Sequence, residues 1–198
     1  MSWRELFERT PDGVTVDTIA AVVSERRSAH GSDEHAESTA SEPAEPSPAR
    51  VVADADVLAA ACCLDDSSRI VLDTLYQHSW TTLVASDELL ADTVGVIEAV
   101  ADRSLAIAWR EQIEAWRQPV KHPASDHPAL GSAYRGGAMH VLSFDDELTS
   151  SAAGATLNNR ASISVRQPAA FELLFDPASL YEAEHDEAYP GPDRPSQL

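Results

Sequence analysis

Residues 51–58 read Val51-Val52-Ala53-Asp54-Ala55-Asp56-Val57-Leu58, a short apolar run closed by one acid and followed by a second acid in an apolar stretch. An uninterrupted apolar run of this length suits a strand buried on both faces. A helix over 57–63 follows, and the alternation it begins decides the fold. A helix over 67–78 carries Ile70, Leu72, Leu75 and Tyr76, and a second strand covers Thr82–Ala85. Ser86 can cap the next helix, whose Leu89, Leu90, Val94, Ile97 and Val100 recur at helical spacing. A helix over 104–117 carries Leu105, Ile107, Trp109, Ile113 and Trp116, after which Pro119 and Pro123 break the pattern. A short helix from Leu130 to Arg135 stops at Gly136-Gly137. Strands at Val141-Leu142-Ser143 and Ile163-Ser164-Val165 follow, then a helix over 168–175 opened by Pro168. Short apolar strands alternating with helices predict an α/β protein. The expected form is a three-layer α/β/α sandwich around a mostly parallel sheet of four to five strands.

The chain has 198 residues, which suits one domain with tails. Residues 1–27 form an N-terminal helical segment whose apolar face, Val14, Ile19, Val22 and Val23, is narrow. Residues 28–49 have no aliphatic side chain larger than alanine and are rich in proline and acids, the composition of a disordered linker. The folded domain spans 50–176, and 177–198 is an acidic, proline-rich flexible tail. On this reading the first 49 residues are dispensable for folding. No window approaches 18 uninterrupted apolar residues, so no membrane span is expected. The start lacks a basic segment followed by an apolar run, so no signal peptide is expected. Cys62 and Cys63 are adjacent and supply neither a disulfide staple nor a four-ligand zinc site. A cytoplasmic location fits.

Thirty-three acidic side chains against 14 basic ones give a net charge of -19, which argues against a basic nucleic-acid clamp. Lys121 is the only lysine, however, and such a lysine-poor, acid-rich composition resembles proteins of extreme halophiles. In molar salt the screening length is a few ångströms, so the acidity says little about partners.

Sites in parallel sheets gather beyond the carboxyl ends of the strands. Asp54 and Asp56 follow the first strand, and Asp145 and Asp146 follow the third. Asp126 precedes the helix leading into that third strand, and Asp92 lies in the helix after the second. Oxygen-only clusters suit hard divalent cations such as Mg²⁺ or Mn²⁺, which activate water and neutralise a phosphodiester.

The same stretches carry a family resemblance. Val51–Leu58 resembles the opening strand of PIN-domain nucleases, with an aspartate, a polar residue two positions on, and Val-Leu. Ser86-Asp87-Glu88-Leu89-Leu90-Ala91-Asp92 resembles the family's second motif, a serine with an acid six residues later. Asp126–Ala138 is similar to the third, an aspartate opening an alanine-rich helix that ends in Gly-Ala. Val141-Leu142-Ser143-Phe144-Asp145 is similar to the fourth, a strand closing in Thr/Ser-x-Asp. The resemblance covers nearly all of 50–176. It implies a PIN-like fold and metal-binding, catalytic acids at Asp54, Asp92, Asp126 and Asp145. Ser143 takes the family's orienting hydroxyl position, and Asp56 and Arg135 support the site. Asp92 stands where glutamate is usual, Asp56 replaces Asn or Ser, and His127-Pro128 after Asp126 is unusual.

The resemblance implies an endoribonuclease dependent on Mg²⁺ or Mn²⁺ that leaves a 3′-hydroxyl and a 5′-phosphate. Its relatives include toxins of toxin–antitoxin pairs and RNA-processing enzymes, so RNA and an antitoxin or other protein are the partners to expect. The competing expectation is a catalytically inactive PIN-like binding or regulatory module whose N-terminal helix recruits a partner. Other residues read blandly. His122, His127 and His140 lack metal-ligand spacing and read as surface or loop histidines. Cys62 and Cys63 read as buried inert thiols. Trp109 and Trp116, two turns apart, read as core or a homodimer seam. Arg135 reads as lying beside the acids, contacting a phosphate or pairing with a carboxylate.

Overall fold

The computed structural model describes residues 2–30, 40–150 and 162–197. Two helices, α1 (Trp3–Phe7) and α2 (Val16–His30), precede a five-stranded sheet. Its strands are β1 (Ser47–Ala53), β2 (Thr82–Ser86), β3 (Gln118–Val120), β4 (Ala138–Leu142) and β5 (Ser164–Arg166), in the order β3-β2-β1-β4-β5. Every neighbouring pair is parallel. Val51 and Val52 are fully buried, as the continuous apolar run requires of a central strand.

The chain passes from β1 to β2 through α3 (Ala55–Cys63) and α4 (Ser67–Tyr76), and from β2 to β3 through α5 (Asp87–Val100) and α6 (Arg103–Glu114). Both steps run the same way across the sheet, so right-handed crossovers put these helices on one face. The return to β4 through α7 (Pro128–Gly136) reverses direction and puts α7 on the other face, against β1, β2 and β4. The fold is thus α/β in three layers, as the alternation predicts. Leu58, Leu83, Leu89, Ile97, Leu105 and Ile113 fill the core. Short polar side chains start the helices: Asp54 on α3, Asp66 on α4, Ser86 on α5 and Asp102 on α6 each accept a first-turn N–H.

Three readings of the sequence need correction. Pro119 does not end regular structure but sits in β3, which forms one edge of the sheet, where a missing donor is tolerated. The N-terminal segment does not stand apart. Leu6 and Ile19 are fully buried and Val23 nearly so, with α1 against α6 and α2 against α5 and α3. A narrow apolar face suffices because these anchors enter gaps between helices. Gly95 on α5 helps, because the Arg26 guanidinium takes the place a Cβ would occupy there. The tail is also held: α9 (Pro168–Leu174) and α10 (Pro177–His185) follow β5, and Tyr181 and Trp80 pack edge to face. Beyond α10, Tyr189 bonds His78, Asp193 caps Ser79, and the Gln197 N–H donates to Asp73 at 2.6 Å. Its polar residues find fixed partners, which composition does not reveal.

Part of the expected linker is ordered too. Ser41 N–H donates to the Lys121 carbonyl, Ala44 N–H donates to the Arg135 carbonyl, and Ser47–Ala49 belong to β1. Positions 31–39 lie outside the described residues. Trp109 is buried in the core, and Trp116, just past α6, meets Tyr76 edge to face at 5.6 Å. Cys62 and Cys63 are buried free thiols on α3. Among the described residues no helix is long and apolar enough to cross a membrane.

Candidate functional site

The strand order reverses between β1 and β4, and the carboxyl ends of these two strands form the switch point where open α/β sheets bind ligands. Asp54 ends β1 and caps α3, and its N–H donates to the Leu142 carbonyl at the end of β4 at 2.8 Å. Two residues later Asp56 turns back toward β4 and accepts the Phe144 N–H at 2.9 Å and the Val57 N–H at 2.6 Å. Ser143, the residue after β4, lies between them. Its Oγ is 3.2 Å from Asp54 Oδ2 and 3.4 Å from Asp56 Oδ2, and it accepts the Asp145 N–H at 3.0 Å. Asp54 and Ser143 are 0% exposed and Asp56 3%. Two carboxylates so close together and so dry cannot both ionise without a cation.

The cation present is Arg27, from α2. Its Nη2 donates to Asp54 Oδ1 at 2.5 Å and its Nη1 to Asp54 Oδ2 at 3.3 Å, a two-pronged contact. Its Nε reaches Asp92 Oδ2 at 3.5 Å, and Nη1 lies 3.0 Å from His127 Nε2. Burial works against the Arg27 charge, but Asp54, aided by Asp92 and Asp56, outweighs it and raises the pKa above the ordinary arginine value. Burial alone would raise Asp54. The charge and hydrogen bonds of Arg27, then His127 and the Ala55 N–H, outweigh it and hold the carboxyl below its ordinary range. For Asp56, burial and then the Asp54 charge win over the Phe144 and Val57 N–H groups, and its pKa is pushed up to about 7. His127 is lowered, by burial first and Arg27 next, against the pull of Asp54, so its imidazole is neutral at pH 7.

The sequence-derived site is only partly assembled. Asp54, Asp56 and Ser143 meet, and Asp92 joins through Arg27. Asp145 caps the four-residue helix α8 (Asp146–Thr149), accepting the Glu147 N–H at 2.8 Å, and lines the neighbouring cleft. Asp126 lies in the turn before α7, where its N–H donates to the Pro123 carbonyl, and the residue that faces the cluster is His127. Arg135 is elsewhere. It sits at the far end of α7, near the amino ends of the strands, and donates to the Ser41 carbonyl at 2.9 Å. A nine-residue helix of about 13 Å separates it from the acids, which sequence proximity concealed.

His122 and His140 do not join the site. His122 lies in the loop between β3 and α7, as one of the two readings had it, but is buried there and bonds the Ser86 hydroxyl at 2.9 Å. His140 on β4 meets Phe171 edge to face, and burial, then Arg166, lowers its pKa to about 4. Arg27 is the participant that motif reading misses. Its signal was present, because Ile19, Val23 and Arg27 recur at four-residue spacing and put an arginine on the buried stripe of α2.

A cleft of about 460 Å³ opens beside the acids. Ala20, Val23, Ser24, Arg27 and Ser28 of α2 form one wall, and Asp56, His127, Phe144 and Asp145 face it. The donor set is of the hard-oxygen kind that suits Mg²⁺ or Mn²⁺. In this arrangement it does not fit one. Both oxygens of Asp54 accept from Arg27, with Ala55 N–H and Ser143 adding donors, and both oxygens of Asp56 accept backbone N–H groups. Among the described residues, no three His, Cys, Asp or Glu side chains are grouped to hold a metal ion.

Fold and site define a parallel α/β protein whose switch point holds two buried aspartates, one of them paired with an arginine. The profile of a family of unknown function (DUF7384) matches residues 45–197, and the chain belongs to that family. The matched stretch contains Asp54, Asp56, Asp92 and Ser143, and α2 with Arg27 lies before it. No curated protein matches the chain, and no solved structure does.

Proposed function

We propose that this protein is a PIN-like endoribonuclease, acting in the cytoplasm on RNA phosphodiester bonds, with Mg²⁺ or Mn²⁺ as its cofactor. The observation that carries the reading is the convergence of Asp54, Asp56 and Ser143 at the switch point, opening on a cleft that Asp145 and His127 also line. The carboxylates carry the kind of charge a cation requires, although in this arrangement Arg27 answers that of Asp54, and the Ser143 hydroxyl lies between the two acids. His127, neutral at pH 7 and one-quarter exposed, can hydrogen-bond a substrate at the edge of the cleft. A toxin or RNA-processing role, and an antitoxin or other protein as partner, belong to the same proposal. Arg27 favours a second reading, a catalytically inactive PIN-like module, since it saturates Asp54 with donors from the chain itself.

The test is cleavage of mixed RNA with Mn²⁺ in molar KCl by the wild type, Asp54→Asn and Asp145→Asn. Cleavage lost in both variants supports the enzyme. Equal cleavage by all three marks a contaminant and removes the catalytic reading.

A further inference from the structure

We infer that the hollow between β4, β5, α9 and α10 binds a small monocarboxylate with an apolar tail, its head on Arg166 and His140 and its tail along Leu174, Phe175 and Leu180. The hollow has a volume of about 320 Å³ and shares no lining residue with the cleft beside the acids, so nothing about it depends on how that site is read. Three observations carry it.

The first is an arginine without a partner. Arg166 ends β5, where its carbonyl accepts the Ser143 N–H at 3.0 Å, and its side chain lines the hollow. Among the described residues its guanidinium makes no hydrogen bond or ion pair. Arg9, Arg27, Arg69, Arg110 and Arg117, by contrast, each meet an acid. The second is an imidazole in the same state. His140 on β4 lies near enough to Arg166 to feel its charge, and neither ring nitrogen has a hydrogen-bond partner among the described residues. Its Nδ1 is shut off from water. Burial, then Arg166, keeps the ring neutral at pH 7, so it has one N–H to donate. A polar group left so is unfavourable, and an acceptor on a ligand relieves it. The third is the wall. Phe171 and Phe175, stacked at 4.9 Å, line the hollow with Leu180 and Ala183. Leu174, 66% exposed, also lines it, and a tail laid there takes that side chain out of water. An apolar lining with a few convergent polar groups is the usual form of a small-molecule site.

The polar groups select the head. One guanidinium and one neutral imidazole answer a single negative charge. The planar fork of the arginine takes both oxygens of a carboxylate, and the imidazole donates to one of them. A phosphate, with its larger charge, would need further donors. Asp176 lines the hollow too, but its carboxylate is engaged. It accepts the Ala178 and Ser179 N–H groups and the Ser179 hydroxyl at the start of α10, where the helix dipole offsets its charge.

The experiment uses the full chain at pH 7.5 in fixed molar KCl, with hexanoate as probe and hexanol and acetate as controls. Binding is followed by titration calorimetry and by the His140 ring signals in NMR, for the wild type, Arg166→Gln and Leu174→Ser. The site predicts saturable hexanoate binding that moves the His140 signals, with no saturable binding of hexanol or acetate at the same concentrations. Affinity should fall at least about tenfold in Arg166→Gln and about threefold in Leu174→Ser. Leu174 is exposed, so its variant keeps the fold whatever Arg166→Gln does. Hexanol binding as tightly as hexanoate, or equal hexanoate affinity in wild type and Arg166→Gln, leaves an apolar hollow and overturns the carboxylate site. No saturable hexanoate binding, or binding that leaves the His140 signals unmoved, overturns it as well.

Discussion

Asp56→Asn should change how stability depends on pH, and the structure says by how much. Asp56 is 3% exposed, and its carboxyl is pushed from an ordinary 3.8 up to about 7 by burial and by Asp54. An acid raised in the folded state is protonated there while the unfolded chain has released its proton. Between about pH 4 and 7 the native state therefore binds more protons, and stability falls as pH rises. A change of about three pH units is worth about 4 kcal/mol, fully lost above pH 7. Asparagine removes this titration at a cost of its own. The two Asp56 oxygens accept the Val57 and Phe144 N–H groups, and an amide nitrogen can accept neither, so one buried donor goes unpaired at about 1–3 kcal/mol. The variant should be less stable than wild type by that amount at pH 4. At pH 8 it should be more stable by about 1–3 kcal/mol, the two curves crossing between. Urea denaturation at fixed KCl from pH 4 to 8 reads this directly. Parallel curves offset by a constant would refute the claim that Asp56 holds a proton in the folded protein.

Other expectations follow from the same contacts. Arg27→Met leaves a fully buried carboxylate unpaired and should cost about 3 kcal/mol at pH 7, the low end for a broken buried pair because the Arg27 side chain is 21% exposed; a loss below about 1 kcal/mol in urea would contradict the pairing. In the wild type the depressed pKa of Asp54 is a contribution present above about pH 4 and lost as pH falls through the folded value, and Arg27→Met should abolish most of that acid-side dependence. Deleting residues 1–39 removes Leu6, Ile19 and Val23 from the core and should cost at least about 4 kcal/mol, since each buried side chain is worth about 1.5–3 kcal/mol; an unchanged melt would show that the N-terminal helices are not part of the fold. Tyr189→Phe removes the hydroxyl that meets His78 and should cost about 1 kcal/mol, a fall in Tm of about 2–4 °C in a chain of this size. An unchanged Tm would show that the tail is not fastened there.

Much of the sheet was legible because its central strands must be apolar throughout. Val51–Ala53, Leu83–Ala85 and Val141–Leu142 announce burial on both faces, and the intervening helices carry spaced apolar side chains and short polar caps. What escaped was set by tertiary position. Pro119 is compatible with a strand only because β3 lies at an edge, and nothing local marks an edge. The docking of α1 and α2 depends on gaps between distant helices, and the tail on partners more than 100 residues away, such as Asp193 on Ser79. At the site, the acids following β1 and β4 were legible because strand ends are fixed by the strands. Asp126 and His127 are adjacent in sequence, and only the turn before α7 decides which one faces the cluster. Arg27 lay outside every motif considered, although an arginine one turn beyond Ile19 and Val23 on the same stripe is a sign of a buried charge seeking a partner.

The most direct measurement is Mn²⁺-dependent cleavage of mixed RNA, in molar KCl, by the wild type, Asp54→Asn and Asp56→Asn. If the acid pair at the switch point is a nuclease site, the wild type cuts and neither variant does. A folded wild type that leaves RNA intact, or variants that cut as well as it does, would contradict the account.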